Sequence, residues 1–128
     1  MLEKFLKKTE FSSMEDFREN LEYNVPDEFN FAYDVMDEWA RVAPDKLALL
    51  WTSDQGEEKR FSFSDLKRET DKVASYLTTL GIGKNDMVML VLKRRYQFWL
   101  TIIALHKIGA IAIPATYLLT ANDIVYRC

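Results

Sequence analysis

Between Gly81 and Pro114 the chain carries the pattern that most restricts its fold. An apolar run, Asp86 to Leu92 (DMVMLVL), is followed by the basic triplet Lys93-Arg94-Arg95 and an apolar helical stretch from about Tyr96 to Ile108. Gly109 then acts as a stop, and a second short apolar run extends from Ala110 to Pro114. A nearly continuous apolar run of strand length predicts a strand covered on both faces in a parallel sheet. Two such strands separated by one helix form a βαβ unit, because parallel neighbours need a long crossover and the helix must bury its apolar side on the sheet. The fold class is therefore α/β.

The sequence before this unit is built of shorter signals. Residues 1–28 are polar and acidic, with a weak helical rhythm in Met14, Phe17 and Leu21 closed by Pro26, and read as a peripheral arm. From Asn30, an N-cap residue, the apolar positions Phe31, Val35, Trp39 and Val42 recur at intervals of four, four and three, which predicts one helical stripe ended by Pro44. Lys46 to Thr52 reads as a strand, Ser53 to Glu58 as a turn around Gly56, and Lys59 to Phe61 as the returning strand of a β-hairpin. Ser62 with Asp65 three residues on is a capping-box variant, and Phe61 and Leu66 stand where a hydrophobic staple would. The helix they open has Leu66, Val73, Leu77 and Leu80 on its apolar face and Gly81 at its left-handed end. Thr120 and Asp123 repeat the cap, so a last helix is expected from Ala121. The sequence stops seven residues later at Cys128. A helix this short offers little packed surface against its nucleation cost, so the chain is expected to be a truncated piece of a larger fold.

Composition removes several functional classes. The 128 residues carry 17 basic and 20 acidic groups, a net charge of −3, which argues against non-specific phosphate-backbone binding and so against a nucleic-acid role. The charge is uneven: residues 1–60 sum to −7 and residues 61–128 to +4. A single cysteine, Cys128, excludes an intrachain disulfide and a thiolate metal cluster, which fits a reducing, cytoplasmic setting. No stretch has the length and apolarity of a signal peptide core or a membrane-spanning helix. There is no HExxH, GxxxxGK[ST] or GxSxG.

Gly81-Ile82-Gly83-Lys84-Asn85-Asp86 follows a helix and opens a strand, the reverse of a dinucleotide fingerprint, and has Asp in place of the third glycine. It reads as a plain connection. Lys93, Arg94 and Arg95 lie just past a strand's carboxyl end, where open α/β sheets bind ligands, so they form either a phosphate contact or a solvated turn. His106, the only histidine, has no second histidine or nearby carboxylate in its helix and reads as a packed or rim residue. Trp39, Trp51, Tyr96, Phe98 and Trp99 stand at packing positions. Ala115, Thr116 and Tyr117 follow the second strand, where substrate-contacting loops form.

Taken in order, FNFAYDVMDEWA, RFSFSDL, GIGKNDMVMLVL, QFWLTIIALHKIGAIAIPAT and NDIVYR resemble the opening of an acyl-CoA synthetase of the adenylate-forming superfamily. Phe61 to Leu66 is similar to its first core motif and Leu105 to Pro114 to its second; the likeness covers about residues 29–128. The FNFAxDVxDxWA opening and the DIxYR ending look most like the medium-chain members. The resemblance implies that residues 29–128 are the N-terminal portion of an AMP-binding (adenylation) domain, incomplete, with the remainder of the chain as its partner. It implies an AMP-forming ligase using a carboxylic acid, a fatty acid by likeness, with ATP, Mg2+ and CoA. The superfamily's phosphate loop, ribose-binding aspartate and catalytic lysine would all lie beyond Cys128, so no catalytic or metal-binding residue is assigned and the fragment is expected to be inactive.

In similar synthetases the residues after the proline at Pro114 approach the CoA channel, which makes Thr116 and Leu118 the cofactor-lining positions. Thr116 matches the relatives; Leu118 stands where they carry glutamine, which removes a hydrogen-bonding amide. Two alternatives stand beside this reading: another adenylate-forming ligase, such as an acetyl-CoA or aryl-CoA ligase or a peptide-synthetase adenylation domain, and a stand-alone, non-catalytic interaction module.

Overall fold

The computed structural model describes residues 2–127, so Cys128 lies outside the described residues. After a 3-10 turn at Leu2–Lys4, the described elements are α1 (Met14–Asn20), a π-helical segment (Ala32–Asp37) running into α2 (Glu38–Val42), β1 (Leu47–Thr52), β2 (Glu58–Ser62) and α3 (Phe63–Thr79). They continue with β3 (Met87–Leu90), α4 (Gln97–Ile108), β4 (Ile111–Pro114) and α5 (Ala121–Arg127). The two sheets are two-stranded: β1 pairs antiparallel with β2, and β3 pairs parallel with β4 in the register Met87 to Ile111 through Leu90 to Pro114. The α/β class and the βαβ unit are both present.

Local signals set most boundaries. Ser62 accepts from the Asp65 N–H at 3.1 Å and the Asp65 carboxylate accepts from the Ser62 N–H at 3.1 Å, the reciprocal pair expected at the start of α3. Gly109 ends α4 at φ 71°, a conformation that only glycine adopts without strain. The core around Leu90, Leu105 and Ala110 is completed by Leu77, Ile82, Val88, Phe98, Ile102, Ile108 and Ala112, so α3 and α4 together cover the sheet.

They cover one face of it. Val88, Leu90 and Ala112 point into the core, whereas Met87 and Ile111, one residue out of phase, are 64% and 48% exposed. The expectation that β3 is covered on both faces is thus corrected. The apolar run is a property of the strand, but the described residues supply helices on only one side.

The helix expected from Asn30 also departs from its predicted stripe. Asn30 does cap, its Oδ1 accepting from the Ala32 N–H at 2.9 Å while Asp34 accepts from the Asn30 N–H at 2.8 Å. The next turns, however, are π-helical, with each turn one residue wider than in an α-helix. Ala32 and Ala40 become the buried positions, while Phe31 and Val42 are exposed. On α3 the same comparison moves Leu80 to the surface and buries Thr70, whose hydroxyl donates to the Lys67 carbonyl. Trp99, expected to pack, is 51% exposed.

Candidate functional site

Where β3 and β4 end, side by side, the chain opens into a cleft of about 1230 Å³. Parallel pairing places both carboxyl ends at this edge, and the Ala115 N–H donates to the Leu90 carbonyl at 3.0 Å, carrying the register one residue past β4. One wall is Leu92 to Arg95, the second is Pro114 to Leu118, and the third is the hairpin turn from Trp51 to Glu57. The Trp51 indole N–H donates to the Arg94 carbonyl at 2.7 Å and so ties the turn to the basic loop. Below it Tyr96 meets Trp51 edge-on and Phe61 at a tilt, each at 5.4 Å, and its hydroxyl accepts from Lys59 Nζ at 3.1 Å.

The two predicted lining residues fall on the same wall. Thr116 Oγ1 accepts from the Leu118 N–H at 3.3 Å, a hydroxyl turn that fixes the loop after β4, and Leu118 is 72% exposed. Across from them Lys93 adopts φ 50°, a left-handed conformation unusual for a side-chain-bearing residue, and its ammonium lies 4.8 Å from the Tyr117 ring centre. The cleft therefore brings together Thr116, Tyr117 and Leu118 with the basic triplet, which the sequence had suggested only as separate possibilities.

His106 is elsewhere, in the last turn of α4 at the end away from the cleft. Phe31 meets its ring edge-on at 6.3 Å, and its buried Nδ1 has no partner among the described residues, in keeping with the packed or rim position expected. Gly81 to Asp86 is the expected connection: the Asp86 carboxylate accepts from the Gly83 N–H at 2.8 Å. Among the described residues no three His, Cys, Asp or Glu side chains converge as a metal site, and no helix is long and apolar enough to cross a membrane.

Sequence reasoning missed one charged cluster. Lys107, with a side chain only 2% exposed, donates to Asp37 at 2.8 Å and to Asp71 at 2.5 Å, joining the π-helical segment, α3 and α4. Lys67 reaches the same two carboxylates at 3.5 and 2.7 Å. Burial alone would push the Asp71 carboxyl up, but hydrogen bonds from Lys107 and Lys67 overcome it and hold that carboxyl below its ordinary value. The hydrogen bond to Asp71 likewise holds the Lys67 ammonium above its usual range. The signal for this cluster was a lysine inside the largely apolar IIALHKIGA stretch.

Fold and cleft together define a class: a mixed α/β unit of the kind that forms the N-terminal subdomains of adenylate-forming enzymes. The chain is similar to the acetoacetyl-CoA synthetase from Streptomyces lividans with a TM-score of 0.70 and 23% identity, covering 77% of this chain and 15% of that one. It is similar to the N-terminal subdomain of NpsA from Klebsiella oxytoca with a TM-score of 0.64 and 24% identity, covering 72% and 23%. At this identity the likeness speaks for the fold. Residues 36–128 match the AMP-binding enzyme family, and the chain belongs to it. Among curated relatives it is 36% identical over 123 residues to the mitochondrial acyl-coenzyme A synthetase ACSM3 of Homo sapiens, covering 91% of this chain and 21% of that protein. The chain thus spans about a fifth of the length of the curated relatives it matches.

Proposed function

We propose that these residues form the N-terminal portion of an AMP-forming acyl-CoA synthetase, with residues 1–28 as a peripheral arm and 29–128 as part of the AMP-binding domain. In such an enzyme the acid's carboxylate attacks the α-phosphate of ATP, releasing diphosphate and giving an acyl-adenylate. The CoA thiol then displaces AMP to give the acyl-CoA. Mg2+ would neutralise the phosphates in the first step, held by residues outside this chain. The acid is a fatty acid by likeness to the relatives.

The contribution of residues 1–128 is architectural: they hold the parallel strand ends and the loop after Pro114, with Thr116 and Leu118 lining the CoA path. Alone, the chain is inactive. The observation that carries this reading is the β3–α4–β4 unit ending in a cleft, in a chain 36% identical to an acyl-coenzyme A synthetase over 123 residues. The single cysteine fits a reducing compartment, and the proposed location is the cytoplasm, while the relatives' names call them mitochondrial.

The test is carboxylate-dependent exchange of diphosphate into ATP by the longest reading frame that contains these residues, with short-chain, medium-chain and aromatic acids. Exchange followed by thioester formation with CoA supports the proposal. No exchange with any acid removes the enzyme assignment, and exchange without transfer to CoA points to a peptide-synthetase type of acceptor.

A further inference from the structure

We infer that Lys93, Arg94 and Arg95 form an anion subsite for a ligand carrying a chain of two or more phosphates. The inference rests on the proposed function for its location only, since phosphate binding is read without catalysis. Its first support is pairing. Every lysine and arginine of α3 and α4 bonds a carboxylate: Lys67 and Lys107 with Asp37 and Asp71, Arg68 with Asp65, and Lys72 with Glu69. The triplet has no carboxylate partner among the described residues, in a protein with 20 acidic groups. Three adjacent cations repel one another, and an anion shared between them removes that repulsion.

The second support is shape and charge. The three cations line both the large cleft and an adjoining recess of about 300 Å³, whose remaining walls are Phe98 and Trp99. The acidic side chains of the neighbourhood, Asp54 and Glu57, line the large cleft and not the recess. Phosphates are therefore drawn to the side of the triplet away from Asp54 and Glu57, and the uncharged part of the ligand to the cleft. The exposed Trp99 ring at the recess then has a role that core packing does not give it.

The third support is rigidity. Trp51 holds the Arg94 carbonyl, Arg95 donates its N–H to Leu92 at 3.3 Å, and Lys93 keeps a left-handed backbone with its ammonium over Tyr117. The loop is held in one strained shape, as at sites arranged for a ligand.

The experiment titrates the 128-residue chain with inorganic tripolyphosphate and, separately, with adenosine 5′-diphosphate, reading tryptophan fluorescence and calorimetry at two salt concentrations. Saturable one-to-one binding is expected, weakened at least tenfold in R94Q/R95Q and unchanged in K84Q, a lysine equally free of carboxylates outside the recess. The milder Arg95→Lys keeps the charge without the fork and is expected to lose about threefold, which guards against a double variant that fails to fold. Tighter binding of the nucleotide identifies a nucleotide as the source of the phosphates; equal binding identifies the phosphate chain alone. Absence of saturable binding of both probes, or equal weakening by K84Q, overturns the subsite whether or not the ligase reading stands.

Discussion

Replacing Lys107 with methionine tests how much of the fold depends on a group that looks out of place in its helix. The substitution keeps an apolar stem in the 2% exposed site and removes the ammonium between Asp37 and Asp71. Stranding a buried charge by deleting its partner costs about 3–5 kcal/mol. Two features here reduce that figure. The Asp71 side chain is 44% exposed, and Lys67 still reaches both carboxylates, at 2.7 and 3.5 Å. With those discounts the expected loss is about 2–3 kcal/mol. For a chain of this length that corresponds to a fall in Tm of roughly 10 °C. Urea and thermal unfolding followed by circular dichroism measure it. The companion variant Asp37→Asn/Lys107→Met removes the more enclosed stranded carboxylate and is expected to regain part of the loss. A Lys107→Met protein within about 0.5 kcal/mol of the parent, the range of an ordinary surface change, would refute the claim that this cluster fastens the π-helical segment to α3 and α4.

The same cluster sets a pH dependence. Asp71 is held below its ordinary 3.8, so its contribution is complete above that value and is lost as pH falls further; Lys67 is held above its ordinary 10.5, so its contribution is complete below that value and lost as pH rises past it. Denaturant midpoints across both ranges check the two signs, and Asp71→Asn should flatten the acid side. Gly109→Ala is expected to cost about 1–2 kcal/mol, since φ 71° is strained for alanine and the new Cβ would lie 3.2 Å from Lys84 Cγ; urea midpoints read it. Ser62→Ala removes the cap of α3 and is expected to cost about 1 kcal/mol by the same measurement. Under the proposed function, Leu118→Gln in the longest reading frame containing these residues is expected to lower the KM for CoA by about threefold to tenfold, the worth of one hydrogen bond; steady-state kinetics with CoA varied decide it.

The elements whose causes are local were legible. Ser62 and Asp65 announced α3, Gly81 and Gly109 announced helix ends, and the alternation of apolar run, helix and apolar run announced a parallel pair. The candidate site was legible by position, because strand carboxyl ends are where α/β folds open. Thr116, Leu118 and the basic triplet were identified separately, and their placement around one cleft required the register of β3 against β4.

Elsewhere the local pattern was outweighed by contacts distant in sequence. The spacing of Phe31, Val35, Trp39 and Val42 fits an α-helix. The observed π-helical turns bring Tyr33 to the Lys107 carbonyl at 3.2 Å and Asp37 to the Lys107 ammonium, partners about 70 residues away. Lys107 can be buried because Asp37 and Asp71 meet its ammonium, and Thr70 is buried because α4 lies against α3. Which elements exist, where they stop and which family they belong to were determined by the sequence itself, through caps, glycines and apolar period acting over a few residues. Which face of each element is buried, and which charges are paired and which left free, was decided only by the tertiary structure, because burial and ion pairing depend on what arrives from the rest of the chain.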